Sequence, residues 1–516
     1  MQFTQGLHRA VQQKPDAIAT VCKDRRRTFR ELHDRVARLA GGLQSLGIGR
    51  GSRVCILSLN ADRYLESYLA IAWLGAVVNP ANFRWSAPEV IYSLNDSDSV
   101  ALIVDDQFSP MINAIRAGTP GLKQVIFSGD GALPTGTVGF EALIDASQPV
   151  ADVGAGGDEL FGVFYTGGTT GKPKGVMLSH RNVLSSGLDV LAEGALPEGV
   201  VGLHAAPMFH LADMMLTIGL LLRGGRHIVL PAFRPDMLLD IIEAEQISDL
   251  LLVPAMLQAF VDFPAAKGRN LGSVQRIMYG ASPASEALLD RTQALLPQVS
   301  LMQVYGMTEM SAVMTVLPPD DHRSRSANRL RSGGRASYHV QVKIVDEHDI
   351  EKPRGDVGEI IARGPNVMIG YLNKPDATAE ALKNGWMHTG DMGYMDDAGY
   401  VFIVDRLKDM IISGGENIYS VEVENAVSKH PAVAAVAVIG IPDAAMGEAV
   451  HAAVVLKPGA SLTQDELYAH CKQLIAGYKC PRSLELREAL PVSGAGKVLK
   501  TELRKPFWEG RERAVG

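Results

Sequence analysis

Cysteine is scarce in this sequence. The 516 residues include four cysteines, namely Cys22, Cys55, Cys471 and Cys480. Their spacing matches no metal-ligand pattern, and Cys55 lies inside an apolar run, where a small hydrophobic residue is expected. We therefore expect reduced thiols in a cytosolic protein.

Long apolar runs are also missing. The longest stretch, residues 211–222, contains Asp213 and is shorter than the roughly 18 residues that a membrane-spanning helix requires. Residues 1–10 contain no apolar segment typical of a signal peptide. The sequence thus predicts a cytoplasmic protein without an integral membrane segment.

The chain has no excess of basic residues either. Its formal net charge is −7 and its pI is near 6.0, whereas nucleic acids and anionic membranes attract clustered lysines and arginines. We expect no nucleic-acid partner, and we interpret the short arginine run 25–27 as a solvated turn. With 47% apolar residues and no low-complexity tract, the chain is expected to fold around a large core.

Strand-like and helical patterns alternate along the N-terminal part. Thr28 and Glu31 have the spacing of a capping box, and an apolar stripe at helical spacing follows them. Short apolar runs that indicate strands occur at 53–59, 101–104, 161–165, 227–230, 250–253, 274–279 and 301–304. This alternation predicts an α/β fold, with a large multi-layer domain of mixed sheets and helices.

The pattern changes near residue 405. Strand-like runs follow at 432–439 and 449–456, and Thr463 with Glu466 has the spacing of a second capping box. They indicate a small α+β domain. We predict a large domain at 1–406 and a small domain at 409–516, with a boundary at 407–408.

The segment from Tyr165 to Gly175 carries the strongest functional signal. It reads Tyr-Thr-Gly-Gly-Thr-Thr-Gly-Lys-Pro-Lys-Gly and follows an apolar strand. Its glycines free backbone N–H groups to face an anion, its threonines add hydroxyls, and Lys172 and Lys174 add positive charge. The segment predicts a polyphosphate loop, but not a Walker A motif, because Pro173 stands where that motif needs Ser or Thr.

Further motifs follow this loop in a fixed order. They are Tyr305-Gly-Met-Thr-Glu309, Trp386-Met-His-Thr-Gly-Asp391, Asp405-Arg-Leu-Lys-Asp409 and Pro491-Val-Ser-Gly-Ala-Gly-Lys497. Together they resemble the adenylate-forming (AMP-binding) superfamily, which groups acyl-CoA and aryl-CoA synthetases, firefly luciferase and peptide-synthetase adenylation domains. The sequence is similar to bacterial fatty-acid:CoA ligases and to 4-coumarate:CoA ligase-like enzymes.

The resemblance implies an acid–thiol ligase that uses ATP, Mg²⁺ and coenzyme A. In this family, a carboxylate attacks the α-phosphate of ATP, pyrophosphate leaves, and a thiol then displaces AMP from the acyl-adenylate. The residues implied for ATP and AMP are Thr166, Gly167, Gly168, Thr169, Thr170, Gly171, Lys172, Gly280, Ala281, Ser282, Tyr305, Gly306, Met307, Thr308, Asp391, Arg406 and Lys497. Thr169 and Glu309 are implied for Mg²⁺, and the implied catalytic residues are Lys497, His210 and Glu309.

The acid and the thiol have implied sites of their own. Pro207-Met-Phe-His210 resembles the family motif beside the substrate carboxylate, and the implied acyl pocket comprises Met208, Phe209, His210 and Met214. Lys408 stands at the family's hinge position. After the small domain rotates, Ser413, Gly414 and Gly415 are implied to line the path of coenzyme A.

The identity of the acid is less constrained. Thioethers and an aromatic ring suit an apolar tail, so we expect a medium- or long-chain fatty acid as the substrate. A long-chain fatty acid would bring the protein to a membrane surface. The alternatives are an aryl or phenylpropanoid acid, a carrier-protein thiol as acceptor, and a catalytically inactive nucleotide sensor. A homodimer is plausible at this size.

Overall fold

The computed structural model describes residues 1–166, 173–282, 284–324, 326–414, 416–443, 446–492 and 498–509. These residues form two compact units. The first contains the described residues of 1–342 and 362–387, and the second contains those of 343–361 and 388–509. The predicted fold class, a large N-terminal part and a smaller C-terminal part of mixed α and β structure, is confirmed. The hinge at 407–408 and the limits 1–406 and 409–516 stay predictions.

Helices form where the sequence supplies apolar stripes and caps. Their bounds are α1 Gln5–Gln13, α2 Phe29–Ser45, α3 Asp62–Trp73, α4 Ala87–Asp96, α5 Ile112–Gly118, α6 Phe140–Ala146, α7 His180–Ala192, α8 Leu211–Arg223, α9 Pro235–Glu245, α10 Pro254–Val261, α11 Glu286–Leu295, α12 Pro319–Ser324, α13 Pro375–Ala381, α14 Ser420–Val427, α15 Gln464–Lys472 and α16 Lys500–Trp508. Both predicted capping boxes form, at Thr28 with Glu31 and at Thr463 with Glu466. Within the described ranges, we find no helix with the length and apolar character needed to cross a bilayer.

The strands include all those predicted from the apolar runs. Their bounds are β1 Ile18–Cys22, β2 Arg25–Thr28, β3 Arg53–Leu57, β4 Val77–Pro80, β5 Ser99–Val104, β6 Gln124–Phe127, β7 Val138–Gly139, β8 Leu160–Thr166, β9 Lys174–Ser179, β10 Val201–His204, β11 Arg226–Val229, β12 Asp249–Leu252, β13 Arg276–Gly280, β14 Ser300–Tyr305, β15 Thr315–Leu317, β16 Arg335–Ala336, β17 Gln341–Val345, β18 Gly358–Arg363, β19 Gly370–Tyr371, β20 Leu382–Lys383, β21 Trp386–Met395, β22 Val401–Arg406, β23 Ile411–Ser413, β24 Glu416–Ile418, β25 Val433–Asp443, β26 Gly447–Leu456 and β27 Ser483–Leu486.

Two large sheets organise the first unit. One has nine strands in the order β16-β15-β14-β13-β12-β10-β11-β1-β2. The strands β14, β13, β12, β10, β11 and β1 run parallel to one another, and the strands outside them pair antiparallel. The other has eight strands in the order β19-β9-β8-β4-β3-β5-β6-β7. Helices cover the apolar faces of the nine-stranded sheet, where side chains of α9, α10 and α11 pack into one core with those of its central strands.

The second unit contains a sheet of its own. Its strands follow the order β24-β23-β26-β25, and β27 pairs with β26. Apolar side chains of α14 and α15 pack with those of β25 and β26 in one buried cluster. β21 and β22 pair antiparallel, with a register shift after Met392.

The interpretation of residues 25–27 as a solvated turn is wrong. These residues belong to β2, and the side chains of Arg25 and Arg27 are each only 19% exposed. Arg25 binds Asp62 at 2.7 Å, and Arg27 lies 3.3 Å from Glu66. Asp62 and Glu66 are one turn apart on α3, so alternate residues of a strand meet successive turns of a helix. The sequence run alone contained no sign of these partners.

His180 makes the stability of the first unit depend on pH. Its ring is buried and accepts a hydrogen bond from the Phe3 N–H at 3.2 Å, and burial lowers the pKa of His180 to about 4. Because the unfolded chain binds this proton below about pH 6.5 and the folded chain does not, stability is lost as the pH falls below 6.5.

We expect His180→Gln to remove this loss. Between pH 7 and pH 5, the free energy of unfolding should fall by about 2 kcal/mol less in the variant than in the wild type. Urea denaturation at the two pH values measures this difference. The control is His348→Gln, whose ring is 73% exposed. Equal loss of stability between pH 7 and pH 5 in the wild type and in His180→Gln would contradict this role of His180.

Candidate functional site

Predicted site segments that lie far apart in sequence meet at one edge of the nine-stranded sheet. β10 leads into residues 205–210, β13 into 280–282 and β14 into 305–309. These strands run parallel, and Gly280 stands opposite Val304 on neighbouring strands. All of these loops therefore leave the carboxyl ends of the strands, which is where open α/β sheets bind ligands.

The backbone at this edge is tight and strained. A Cβ atom on Gly280 would lie 2.2 Å from the carbonyl oxygen of Val304, and one on Gly306 would lie 2.1 Å from that of Ala312. Ala281 has a φ of 67° and Ala312 a φ of 81°, in the left-handed region that costs an L residue about 1 kcal/mol or more. Such strain concentrates at ligand sites, so it supports the predicted role of both loops.

Glu309 is a buried carboxylate in a fixed orientation. The Tyr371 hydroxyl donates to Glu309 Oε1 at 2.8 Å, and the Met368 N–H donates to the Glu309 carbonyl oxygen at 2.8 Å. Burial, and next the charge of Glu309, raise the pKa of Tyr371, which keeps its hydroxyl protonated and donating. Lys174 Nζ lies 4.8 Å from the centre of the Tyr371 ring. The predicted metal residue thus stands beside the end of the predicted phosphate loop.

The described ends of the phosphate loop are held by a hairpin. Thr166 ends β8 and faces Lys174, the first residue of β9. Tyr165 donates its hydroxyl hydrogen to Asp96 Oδ2 at 2.7 Å. The predicted loop residues that lie outside the described part of the chain are Gly167, Gly168, Thr169, Thr170, Gly171 and Lys172.

The predicted acyl pocket is apolar and aromatic. Met208 and Met214 are 1% exposed and Phe209 is 7% exposed. The Phe209 ring packs edge-to-face on Phe83, with 5.3 Å between the ring centres, and lies 4.1 Å from the ring of His210. His210 is half-buried and stands at the N-cap of α8.

The second unit holds the predicted ribose residues. Asp391 and Arg406 stand opposite each other on β21 and β22, with 3.2 Å between Asp391 Oδ1 and Arg406 Nε. Gly390 has a φ of 67°, and its N–H donates to Glu359 at 3.0 Å. Asp391 therefore lies within β21, and its carboxylate is held beside the guanidinium of Arg406.

The predicted hinge and coenzyme A residues follow β22. Lys408 lies in a short helical turn, Leu407–Asp409, where burial and then the charge of Arg406 lower its pKa to about 8. Ser413 ends β23, and Gly414 has a φ of 61° in the turn towards β24. Gly415 lies outside the described residues.

Lys497 also lies outside the described residues, but the base of its segment does not. The Leu499 N–H donates to the Pro491 carbonyl oxygen at 2.8 Å, and Val492 and Val498 form an antiparallel bridge. The two ends of the predicted catalytic motif are thus paired in the second unit.

The predicted Mg²⁺ fits the donors present. Over the ranges that the structure describes, no group of three or more His, Cys, Asp or Glu side chains could hold a metal by itself. Mg²⁺ commonly binds proteins through one or two carboxylates together with substrate phosphates. Glu309, held by Tyr371 near the described end of the predicted phosphate loop, is a carboxylate of that kind.

Tyr371 is the main residue that the sequence did not reveal. It lies 62 residues after Glu309 in the sequence, and it reaches Glu309 from β19, which pairs with β9. A lone tyrosine after Gly370 is an ordinary strand residue in sequence, so nothing local marks its role.

Two protein-family models match this chain. The family model described as AMP-binding enzyme matches residues 7–372, and the AMP-binding enzyme C-terminal domain matches residues 422–497. The chain belongs to the AMP-binding enzyme family. This confirms both the resemblance found in the sequence and the predicted enzyme class, an acid–thiol ligase.

Individual relatives cover nearly the whole chain. A feruloyl-CoA synthase of Amycolatopsis sp. is 40% identical over 93% of this chain and 94% of its own length. A fatty acid–[acyl-carrier-protein] ligase, ScoC, of Streptomyces coeruleorubidus is 34% identical over 98% of this chain and 96% of its own. The structure of o-succinylbenzoate CoA synthetase of Bacillus subtilis with its acyl-adenylate intermediate matches with a TM-score of 0.86 and 29% identity, over 96% of this chain and 97% of that one.

We expect Tyr371→Phe to weaken the binding of ATP in the presence of Mg²⁺ by several-fold. The change removes one hydrogen bond to a carboxylate, an interaction worth about 1.5–3 kcal/mol, and lets Glu309 turn away. Calorimetric titration with ATP at several Mg²⁺ concentrations measures the effect. Tyr338→Phe, at a 76% exposed tyrosine, is the control. Unchanged ATP affinity in Tyr371→Phe would contradict the predicted role of Glu309 in nucleotide binding.

Proposed function

We propose that this protein is an ATP-dependent acid:CoA ligase that activates an apolar aromatic carboxylic acid. The observation that carries the proposal is the meeting of the 205–210, 280–282 and 305–309 segments at the carboxyl edge of one parallel sheet. An apolar pocket, a strained nucleotide-type turn and a fixed carboxylate thus lie along one edge. That combination suits an acid and ATP held side by side.

In the proposed first half-reaction, an oxygen of the substrate carboxylate forms a bond to the α-phosphorus of ATP. The bond from that phosphorus to the bridging oxygen breaks, and pyrophosphate leaves with the electron pair. Bound Mg²⁺ would neutralise phosphate charge in this step. Glu309 would help to hold that ion, and Lys497 would stabilise the charge on the α-phosphate.

In the proposed second half-reaction, the thiol of coenzyme A attacks the acyl carbon. A carbon–sulfur bond forms, the bond to the AMP oxygen breaks, and the thiol proton passes to solvent or to AMP. We propose that the small domain turns about Lys408 between the two steps and presents Ser413, Gly414 and Gly415 to the thiol arm. Asp391 and Arg406 would serve the ribose.

An aromatic acid is the substrate class that the pocket favours. Phe209 sits edge-to-face on Phe83, and Phe83 stacks near Phe108 with 6.4 Å between ring centres. Aromatic side chains in such arrangements bind planar rings well, because ring edges meet ring faces. The 40% identity to a feruloyl-CoA synthase points the same way.

A fatty acid, predicted from the sequence, is the second candidate. Met208 and Met214 are buried in the same pocket, and their flexible thioethers adapt to alkyl chains. The 34% identical ScoC ligase acts, by its name, on fatty acids and a carrier protein. Coenzyme A remains our proposed acceptor, and a carrier protein is the alternative that the experiment must separate.

The test combines two assays with one variant. We expect ATP–pyrophosphate exchange with aromatic acids above that with fatty acids of eight to sixteen carbons, and AMP release on addition of coenzyme A. Lys497→Ala should lower exchange about 100-fold or more, while thioester formation from synthetic acyl-adenylate persists. Lys505→Ala, at an exposed lysine of α16, is the control.

Each outcome has a distinct meaning. Stronger exchange with fatty acids would replace the aromatic proposal by the second candidate. Exchange without coenzyme A-dependent AMP release would favour a carrier-protein acceptor. ATP binding without exchange for any acid would overturn the ligase proposal in favour of a nucleotide sensor.

A further inference from the structure

Two buried side chains beside the predicted acyl pocket hold its backbone. Asn60 lies two residues before α3 and Tyr68 lies within it; their exposed fractions are 4% and 0%. The Asn60 Oδ1 atom accepts from the Met208 N–H at 2.8 Å, and the Tyr68 hydroxyl donates to the Met208 carbonyl oxygen at 2.8 Å. Both backbone polar groups of Met208 are therefore bound by side chains from another element.

Asn60 also binds the start of the same segment. Its Nδ2 group donates to the carbonyl oxygens of Ala206, at 2.8 Å, and His204, at 3.2 Å. A buried loop lacks the backbone hydrogen-bond partners of a helix or strand, so these side chains supply the partners instead. The segment cannot turn without leaving buried polar groups unpaired, which is costly.

A second buried network fixes the two ends of the segment. His204 ends β10, and its Nδ1 atom lies 2.8 Å from the carboxylate of Asp213 in the first turn of α8. His204 Nε2 lies 2.9 Å from Nδ1 of His227 on β11. This network fixes the flanks of the segment, whereas Asn60 and Tyr68 bind the backbone of Met208 in its middle.

We infer that Tyr68 and Asn60 are positioning residues that set which acid the enzyme selects, through the backbone of Met208. The inference rests on the proposed function, which places the acid against Met208, Phe209 and His210. Neither residue touches the acid in this account. Their loss should loosen the pocket and leave nucleotide binding unchanged, because the 280–282 and 305–309 segments have other supports.

Tyr64 provides a matched control on the same helix. It is 2% exposed, and its ring lies edge-to-face with that of Tyr68 at 5.0 Å between centres. Among the described residues, its hydroxyl makes no hydrogen bond to the 205–210 segment. Tyr64→Phe and Tyr68→Phe therefore remove the same atom from equally buried tyrosines, but only one of them holds Met208.

The experiment measures ATP–pyrophosphate exchange of the full chain across aromatic and fatty acids. We expect Tyr68→Phe to raise KM for the preferred acid roughly tenfold and to flatten the ranking of kcat/KM among acids. KM for ATP should stay within about twofold, and Tyr64→Phe should resemble the wild type in both parameters. Equal profiles for the two variants, or a rise in KM for ATP alone, would overturn the inference.

A second variant covers the case in which Tyr68→Phe is insoluble. Asn60→Ser keeps an oxygen that can accept a hydrogen bond but shortens the side chain, and the same changes are expected from it. Unaltered acid selection in Asn60→Ser would then overturn the inference. If the wild type catalyses no exchange with any acid, the proposed function itself is overturned, and this result is distinct from a failure of the inference about Tyr68 and Asn60.

Discussion

The parallel pairing of β10, β12, β13 and β14 is the constraint on which the candidate site depends. It sends successive loops to the same edge of the nine-stranded sheet, although they are separated by up to about 100 residues. Gly280 and Gly306 allow neighbouring backbones to approach more closely than a Cβ would permit. Without this register, the predicted acyl pocket, the predicted nucleotide segments and Glu309 would not share an edge.

Buried polar groups then fix what the sheet brings together. Tyr371 orients Glu309, and Asn60 and Tyr68 hold the backbone of Met208. Each of these contacts joins elements distant in sequence, and breaking one would leave a buried partner unpaired. In the first unit, side chains behind the predicted binding residues thus hold those residues in place before any ligand binds.

The sequence predicted what depends on local chemistry. Both capping boxes, the strand runs and the order of the motifs could be read directly, because each depends on residues a few positions apart. The partners of Glu309, of Met208 and of Arg25 could not, since tertiary packing chooses them. The phosphate loop was predicted from its glycines, hydroxyls and lysines, the role of Lys497 was implied by the family resemblance, and both roles stay proposals.

In the proposed reaction, an oxygen of the acid attacks the α-phosphorus of ATP. The most direct measurement uses the preferred acid labelled with ¹⁸O in its carboxylate, with mass spectrometry of the AMP released after coenzyme A is added. If the carboxylate oxygen attacks the α-phosphorus, AMP will carry one ¹⁸O atom and pyrophosphate none. Label in an inorganic phosphate product, or unlabelled AMP, would contradict an acyl-adenylate and with it the proposed function.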